Sequence, residues 1–210
     1  MVRRMDIDLT QHDFQFTRGW FRTRNLPTFR EFVFPRWSEK PVTYLEIGVF
    51  EGMSLVWMMQ KVLTHPESRA IGVDPWLMTC KLESDKMEEV MVRAHHNLSP
   101  WSDRCELVRS NSFEVLRAAP RYRGGKYGLK NNGVDLCMID GNHGALGVLS
   151  DALLCFSVVK PGGWMLFDDV ENDIPKKDHV KEGVEMFREE KGDKIRCLWK
   201  HRYMECYEKV

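Results

Sequence analysis

Five short apolar runs between residues 42 and 169, spaced by stretches of helical character, constrain this chain more than any other feature. They read VTYLEIGV, RAIGVDP, CELVRS, VDLCMID and GGWMLFDD. Helical patterns lie between them: about Gly52 to Leu63, Ser84 to Leu98, a short one after Asn111, and Gly144 to Val159. The first, fourth and fifth runs are almost continuously apolar, as strands covered on both faces must be. Parallel neighbours need a long crossover, so this alternation predicts an α/β fold on a doubly wound, mostly parallel sheet. Ligands of such sheets gather at the carboxyl ends of the strands, where these runs carry glycines and acids.

The pattern changes at both flanks. After residue 178 a charged helix, DHVKEGVEMFREEKG, leads into KIRCLWKHRYMECYEKV, whose alternation about a central KHR predicts an antiparallel hairpin. The expected sheet is therefore seven-stranded and Rossmann-like, closed by that hairpin. Residues 12–40 crowd Phe14, Phe16, Trp20, Phe21, Phe29, Phe32, Phe34 and Trp37 without a clean period. One reading is a helix packed on the sheet edge. The other is a lid, or a contact for a second copy of the chain, that shapes a substrate pocket. RGGKYGLKNNG, residues 123–133, reads as a glycine-rich surface loop. A chain of 210 residues holds one full core and is short for two. The expectation is one domain over 1–210, with 1–41 an aromatic-rich cap and 42–210 the core.

Bulk properties narrow the function. Acidic and basic residues number 31 each, so no global field holds a polyanion, and a nucleic-acid partner is disfavoured. The basic clusters RYRGGKYGLK and PKKDHVK lack aromatic interleaving and read as solvated loops. Six cysteines show no CxxC spacing, which argues for a reducing compartment and against structural zinc. No apolar run follows the early arginines, and none approaches the roughly eighteen residues of a membrane span. The expectation is a soluble, cytoplasmic protein with a small-molecule substrate.

In YLEIGVFEGMS, Glu46, Gly48, Gly52 and Ser54 mark the end of the first strand and the opening of a helix. Glycine there lets backbone turn tightly and approach a ligand, and the helix start offers free N–H groups. The spacing is E-x-G-x-x-x-G, not the G-x-G-x-x-G that cradles pyrophosphate. The second strand ends in Asp74, 22 residues beyond Gly52, where a carboxylate suits a ribose diol. Trp76 follows, either to pack on an adenine or as a core aromatic. The third strand ends near Asn111 and Ser112, which suit an adenine edge, Ser112 alternatively serving as a helix N-cap.

Together these features resemble the cofactor site of class I methyltransferases that use S-adenosylmethionine (SAM), over about residues 42–170. The resemblance implies SAM as cofactor, with Glu46, Gly48, Gly52 and Ser54 about its methionine and sulfonium. Asp74 would hold the ribose, with Trp76, Asn111 and Ser112 on the adenine side and Asp140 also reaching the cofactor. IDGNH followed by VVKPGGWMLFDDV is similar to a narrower branch, the magnesium-dependent sugar O-methyltransferases of the macrocin and mycinamicin type, and more distantly to the catechol type. In that branch an Asp ends the fourth strand, a His follows three residues on, and paired acids end the fifth. Here these are Asp140, His143, Asp168 and Asp169. Ala145 stands where the branch often has Tyr, so pocket details do not carry over.

Elementary electrostatics points the same way. Adjacent parallel strands bring Asp140, Asp168 and Asp169 together, and three carboxylates in one cleft repel unless a cation joins them. Oxygen ligation suits Mg²⁺ or Mn²⁺. Successive strand residues face opposite ways, so Asp168 and Asp169 share an ion only if the strand ends between them; otherwise Glu171, Asn172 or Asp173 could supply the missing oxygen. The alternative is that Asp140 caps the next helix and the other acids are solvated. With a metal, the expected chemistry is O-methylation of a vicinal diol in a sugar or polyhydroxylated small molecule, His143 being the general base. The rivals are a metal-free methyltransferase and a non-catalytic SAM-fold binding protein that uses its aromatic N-terminus as an interface.

Overall fold

The computed structural model describes residues 6–77, 84–118, 129, 133–170 and 179–210. Seven strands form one sheet: β1 (Thr43–Ile47), β2 (Arg69–Asp74), β3 (Cys105–Arg109), β4 (Val134–Ile139), β5 (Val159–Phe167), β6 (Ile195–His201) and β7 (Met204–Lys209). Their spatial order is β3-β2-β1-β4-β5-β7-β6. The first five run parallel, and β7 lies antiparallel to both β5 and β6. The hairpin turn occupies only residues 202 and 203, with Arg202 at φ 56°. Strand order reverses between β1 and β4, so connections leave in opposite directions there and a crevice opens at their carboxyl ends.

Among the described residues, the longer helices that cover the sheet are α1 (Met53–Lys61), α2 (Ser84–Leu98), α3 (Ser112–Ala118), α4 (Ala145–Val158) and α5 (Val180–Lys191). Alternation along β1 divides the core, since successive residues face opposite ways. Tyr44 packs with α1, α2 and the N-terminal segment, whereas Leu45 packs with α3, α4 and α5.

The N-terminal aromatics resolve into a helical segment that packs on the sheet. Wide π turns at Phe21–Asn25 and Phe29–Val33 alternate with α turns at Leu26–Thr28 and Phe34–Trp37. Each wide turn runs into a proline-bearing one; Pro27 and Pro35 have no N–H to donate, and widening accommodates the break in the hydrogen-bond ladder. The missing period thus has a cause, because the helix does not keep 3.6 residues per turn. Phe21 and Phe29 are buried against Trp57 of α1, with ring centroids 6.0 and 5.7 Å away. Trp37 stands edge-on to Trp164, and Phe32 stacks on Trp199. Upstream, residues 8–17 are strapped to the same face: Gln15 exchanges hydrogen bonds with buried Asn97, and Thr17 donates twice to buried Glu51.

Cys105, Cys137, Cys155, Cys197 and Cys206 are all free, and all but Cys197 are buried. Among the described residues no helix is long and apolar enough to cross a membrane. The expected surface loop at 123–133 and the PKKDHVK cluster fall largely outside the described residues, as do Glu171, Asn172 and Asp173.

Candidate active site

The crevice at the strand ends is closed underneath by backbone bonds that continue the sheet. Gly48 donates to Val73 O, Asp140 to Ile47 O and Asp168 to Ile139 O, at 2.9, 2.8 and 3.2 Å. The chains are so close at the reversal point that a Cβ on Gly48 would lie 2.0 Å from the Asp140 carbonyl oxygen. Gly48 and Gly52 also sit at φ 88° and 77°. Three non-glycine residues at this rim, Phe50, Trp76 and Asp169, adopt positive φ as well, a concentration of backbone strain at the strand ends.

On the β1 side, Glu46 is buried and accepts hydrogen bonds from Ser54 Oγ and Tyr44 Oη. Burial pushes its carboxyl up to about 7, against the pull of those two donors. Asp74 turns back on the glycine turn. Its Oδ2 accepts the N–H groups of Val49 and Phe50, and its Oδ1 that of Trp76, at 2.9, 3.0 and 2.7 Å. Burial raises the Asp74 pKa and these three donors oppose it. Trp76, expected either on adenine or in the core, is almost wholly buried and donates its indole N–H to Phe50 O. It braces the turn from behind.

Of the two residues expected at the adenine side, Asn111 caps α3, its Oδ1 accepting the Glu114 N–H at 2.8 Å. Ser112 is therefore not the cap. It donates instead to Asp151, a buried carboxylate of α4 that also accepts the Asn142 N–H. Asp151 had no signal in the sequence, since an acid within an apolar helix reads as a surface residue until its partner is seen.

The acids of β4 and β5 do meet. β5 ends at Phe167, so Asp168 and Asp169 both lie beyond the strand, and the left-handed turn at Asp169 (φ 56°) swings its carboxylate into the crevice. Ligand atoms of Asp140, His143 and Asp169 lie within 4.8 Å of one another. His143 Nε2 is 3.9 Å from Asp140 and 3.8 Å from Asp169. Asp168 is not in that trio; it is buried beside it, with Oδ2 accepting from Asn25 Nδ2 at 2.6 Å. Asp140 lines the crevice half-buried, and loss of water together with the charges of Asp168 and Asp169 raises its pKa well above the usual carboxylate value. Burial and Asp169 push Asp168 to about 6, while Asn25 opposes the shift.

The donor set fits a hard divalent cation. Two carboxylates converge with an imidazole, and the buried Oδ1 of neighbouring Asp168 has no hydrogen-bond partner among the described residues. A buried carboxylate oxygen without a donor is costly, and a cation is what would satisfy it. His143 enters the set at the place where an all-acid triad was expected, so ligand and base become competing roles for one ring.

Two contributors were not foreseen. Arg24 Nη2 lies 2.7 Å from Asp169 Oδ1, and Asn25 holds Asp168, so the N-terminal segment reaches the site from more than a hundred residues away.

A family model described as a methyltransferase domain matches residues 45–170. The chain belongs to that methyltransferase family. An uncharacterised protein of Acanthamoeba polyphaga mimivirus is 31% identical over 131 residues, 62% of this chain and 52% of its own length. Among solved structures, MycE methyltransferase from the mycinamycin biosynthetic pathway, in complex with Mg, SAH and mycinamycin VI, superposes with a TM-score of 0.58 at 19% identity, over 94% of this chain and 51% of its own. A Corynebacterium glutamicum protein gives 0.59 at 13% identity, over 100% and 89%. The chain thus spans about half the length of the mimivirus protein and of MycE. At these identities the structural likenesses establish the fold, a Rossmann-like class I methyltransferase, as the sequence predicted.

Proposed function

We propose that this protein is a SAM-dependent O-methyltransferase, assisted by Mg²⁺ or Mn²⁺, acting on one hydroxyl of a vicinal diol in a sugar or polyhydroxylated small molecule. The observation that carries this reading is the convergence of Asp140, His143 and Asp169 in the crevice, with Asp168 buried beside them. MycE, solved with Mg, SAH and mycinamycin VI, supports it. When bound, SAM supplies a methyl group on a sulfonium, and a divalent ion supplies a positive charge that lowers the pKa of a nearby hydroxyl.

The chain's own residues do the rest. Gly48 and Gly52 keep the crevice open to a cofactor lying across the strand ends, and Glu46 lies beneath it. Asp140, Asp169 and Asp168 would hold the ion. His143 Nε2, flanked by two carboxylates, stands ready to accept the hydroxyl proton as the acceptor oxygen bonds to the methyl carbon and the carbon–sulfur bond breaks.

The decisive test combines chelation with substitution, using a panel of diol acceptors. His143→Ala should lower kcat by roughly 10²–10⁴-fold, with SAH affinity by calorimetry unchanged. Transfer that survives thorough chelation and Asp169→Asn undiminished would sink the metal role. A metal-free methyltransferase is the second reading, favoured by one observation: Arg24 already lies beside Asp169. An SAH titration that is indifferent to Mg²⁺, with full activity in chelator, would select it.

A further inference from the structure

We infer that Arg24 is a resident counter-cation of the carboxylate cluster and competes with a divalent ion for Asp169. This rests on the metal-assisted reading above and assigns to the N-terminal segment a part in setting metal affinity. Arg24 is clamped on two sides. Its Nη2 is 2.7 Å from Asp169 Oδ1, and its guanidinium carbon lies 4.3 Å from the ring centre of Tyr203 in the β6–β7 turn. That turn is tied to the cluster, because Tyr203 O accepts the Val170 N–H at 2.8 Å. Next along the chain, buried Asn25 fixes Asp168, and Phe21 and Leu26 anchor the segment in the core.

Asp169 therefore serves two partners through one carboxylate. Oδ1 faces Arg24, and Oδ2 faces His143 and the candidate metal position. A guanidinium cannot shed its charge, so it repels any second cation sharing that carboxylate. Its side chain keeps 31% of its surface, so solvent screens this repulsion without abolishing it. Without an ion, the same charge offsets the repulsion among Asp140, Asp168 and Asp169, and it lowers the pKa values of Asp140 and Asp168. One residue thus has two effects of opposite sign: it stabilises the metal-free protein and weakens metal binding. An arginine with a purely packing role would give only the first.

The experiment uses the full chain and Mn²⁺ alone, read by the loss of the free-ion EPR signal, together with melting temperatures in chelator. Arg24→Gln, and Arg24→Met as a second neutral variant, should bind Mn²⁺ on the order of tenfold more tightly than the unaltered protein. Both should melt at a lower temperature without metal and be raised more by Mn²⁺. Arg24→Lys, which keeps the charge, should bind Mn²⁺ with nearly the original affinity. If the unaltered protein binds Mn²⁺ and the neutral variants bind it equally or more weakly, the competition is refuted while the metal reading stands. If the unaltered protein does not bind Mn²⁺, the metal reading fails and this inference fails with it.

Discussion

Asp74 and Asp168 are both buried carboxylates at the carboxyl end of a parallel strand, with 9% and 7% of their surfaces exposed. Asp74 ends β2 and accepts three backbone N–H groups from the turns around it. Asp168 follows β5, is opposed in its shift only by the Asn25 amide, the adjacent Asp169 N–H and Arg24, leaves Oδ1 without a hydrogen-bond partner among the described residues, and faces the charges of Asp169 and Asp140. The first acid is a component of the fold, holding the glycine turn in shape. The second is held in a state the fold alone does not satisfy. Burial raises the pKa of both, so burial does not distinguish them; the supply of donors does.

Gly48 joins the two regions, and altering it should have the largest effect. Gly48→Ala forces a methyl group into the Asp140 carbonyl at a positive φ, and should cost about 3 kcal/mol or more in chemical denaturation and abolish SAH binding. Retained stability would mean that β1 and β4 separate more easily than their spacing implies. Asp74→Asn should cost about 2 kcal/mol, because an amide offers one acceptor oxygen where the carboxylate satisfies three N–H groups. An unchanged denaturation midpoint would show the acid to be free for a ligand after all.

Asp168→Asn should act in the opposite direction. Folding lifts the Asp168 pKa from 3.8 to about 6 and that of Glu46 from 4.5 to about 7, so the native protein holds these protons more tightly than the unfolded chain does. Their contribution is fully present below the unfolded values of 3.8 and 4.5, falls as pH rises from there, and is gone once pH has passed through about 6 to 7. The metal-free protein should therefore lose stability over that range. Asp168→Asn should reduce the loss and be more stable above pH 7, by about 1 kcal/mol. A melting profile in chelator that is flat with pH, or lower for the variant, would place Asp168 with Asp74 as a satisfied acid.

Much of this was legible because the signals are local. The helix expected from Ser84 to Leu98 has those bounds, and the one expected from Gly144 to Val159 differs by a single residue at each end. The predicted hairpin forms, with its turn at Arg202 and Tyr203, at the C-terminal end of the KHR triplet. Asp140 and His143 come together because they lie on one short connection after β4. The cap at Asn111 was obscured by an adjacent serine, and only the Glu114 N–H shows which of the two accepts. Asp151 and Arg24 were invisible for another reason: their partners Ser112 and Asp169 lie 39 and 145 residues away along the chain.

By itself, then, the sequence determined the α/β class, the parallel order of secondary elements and the set of acids at the strand ends. Apolar periodicity and glycine spacing are properties of consecutive residues. Only the tertiary structure decided which acids are satisfied, that Asp169 rather than Asp168 turns toward His143, and that the N-terminal segment delivers Arg24 and Asn25 to the cluster. Those outcomes depend on where β5 ends, on one left-handed residue, and on contacts between segments far apart in the chain, and no local pattern encodes them.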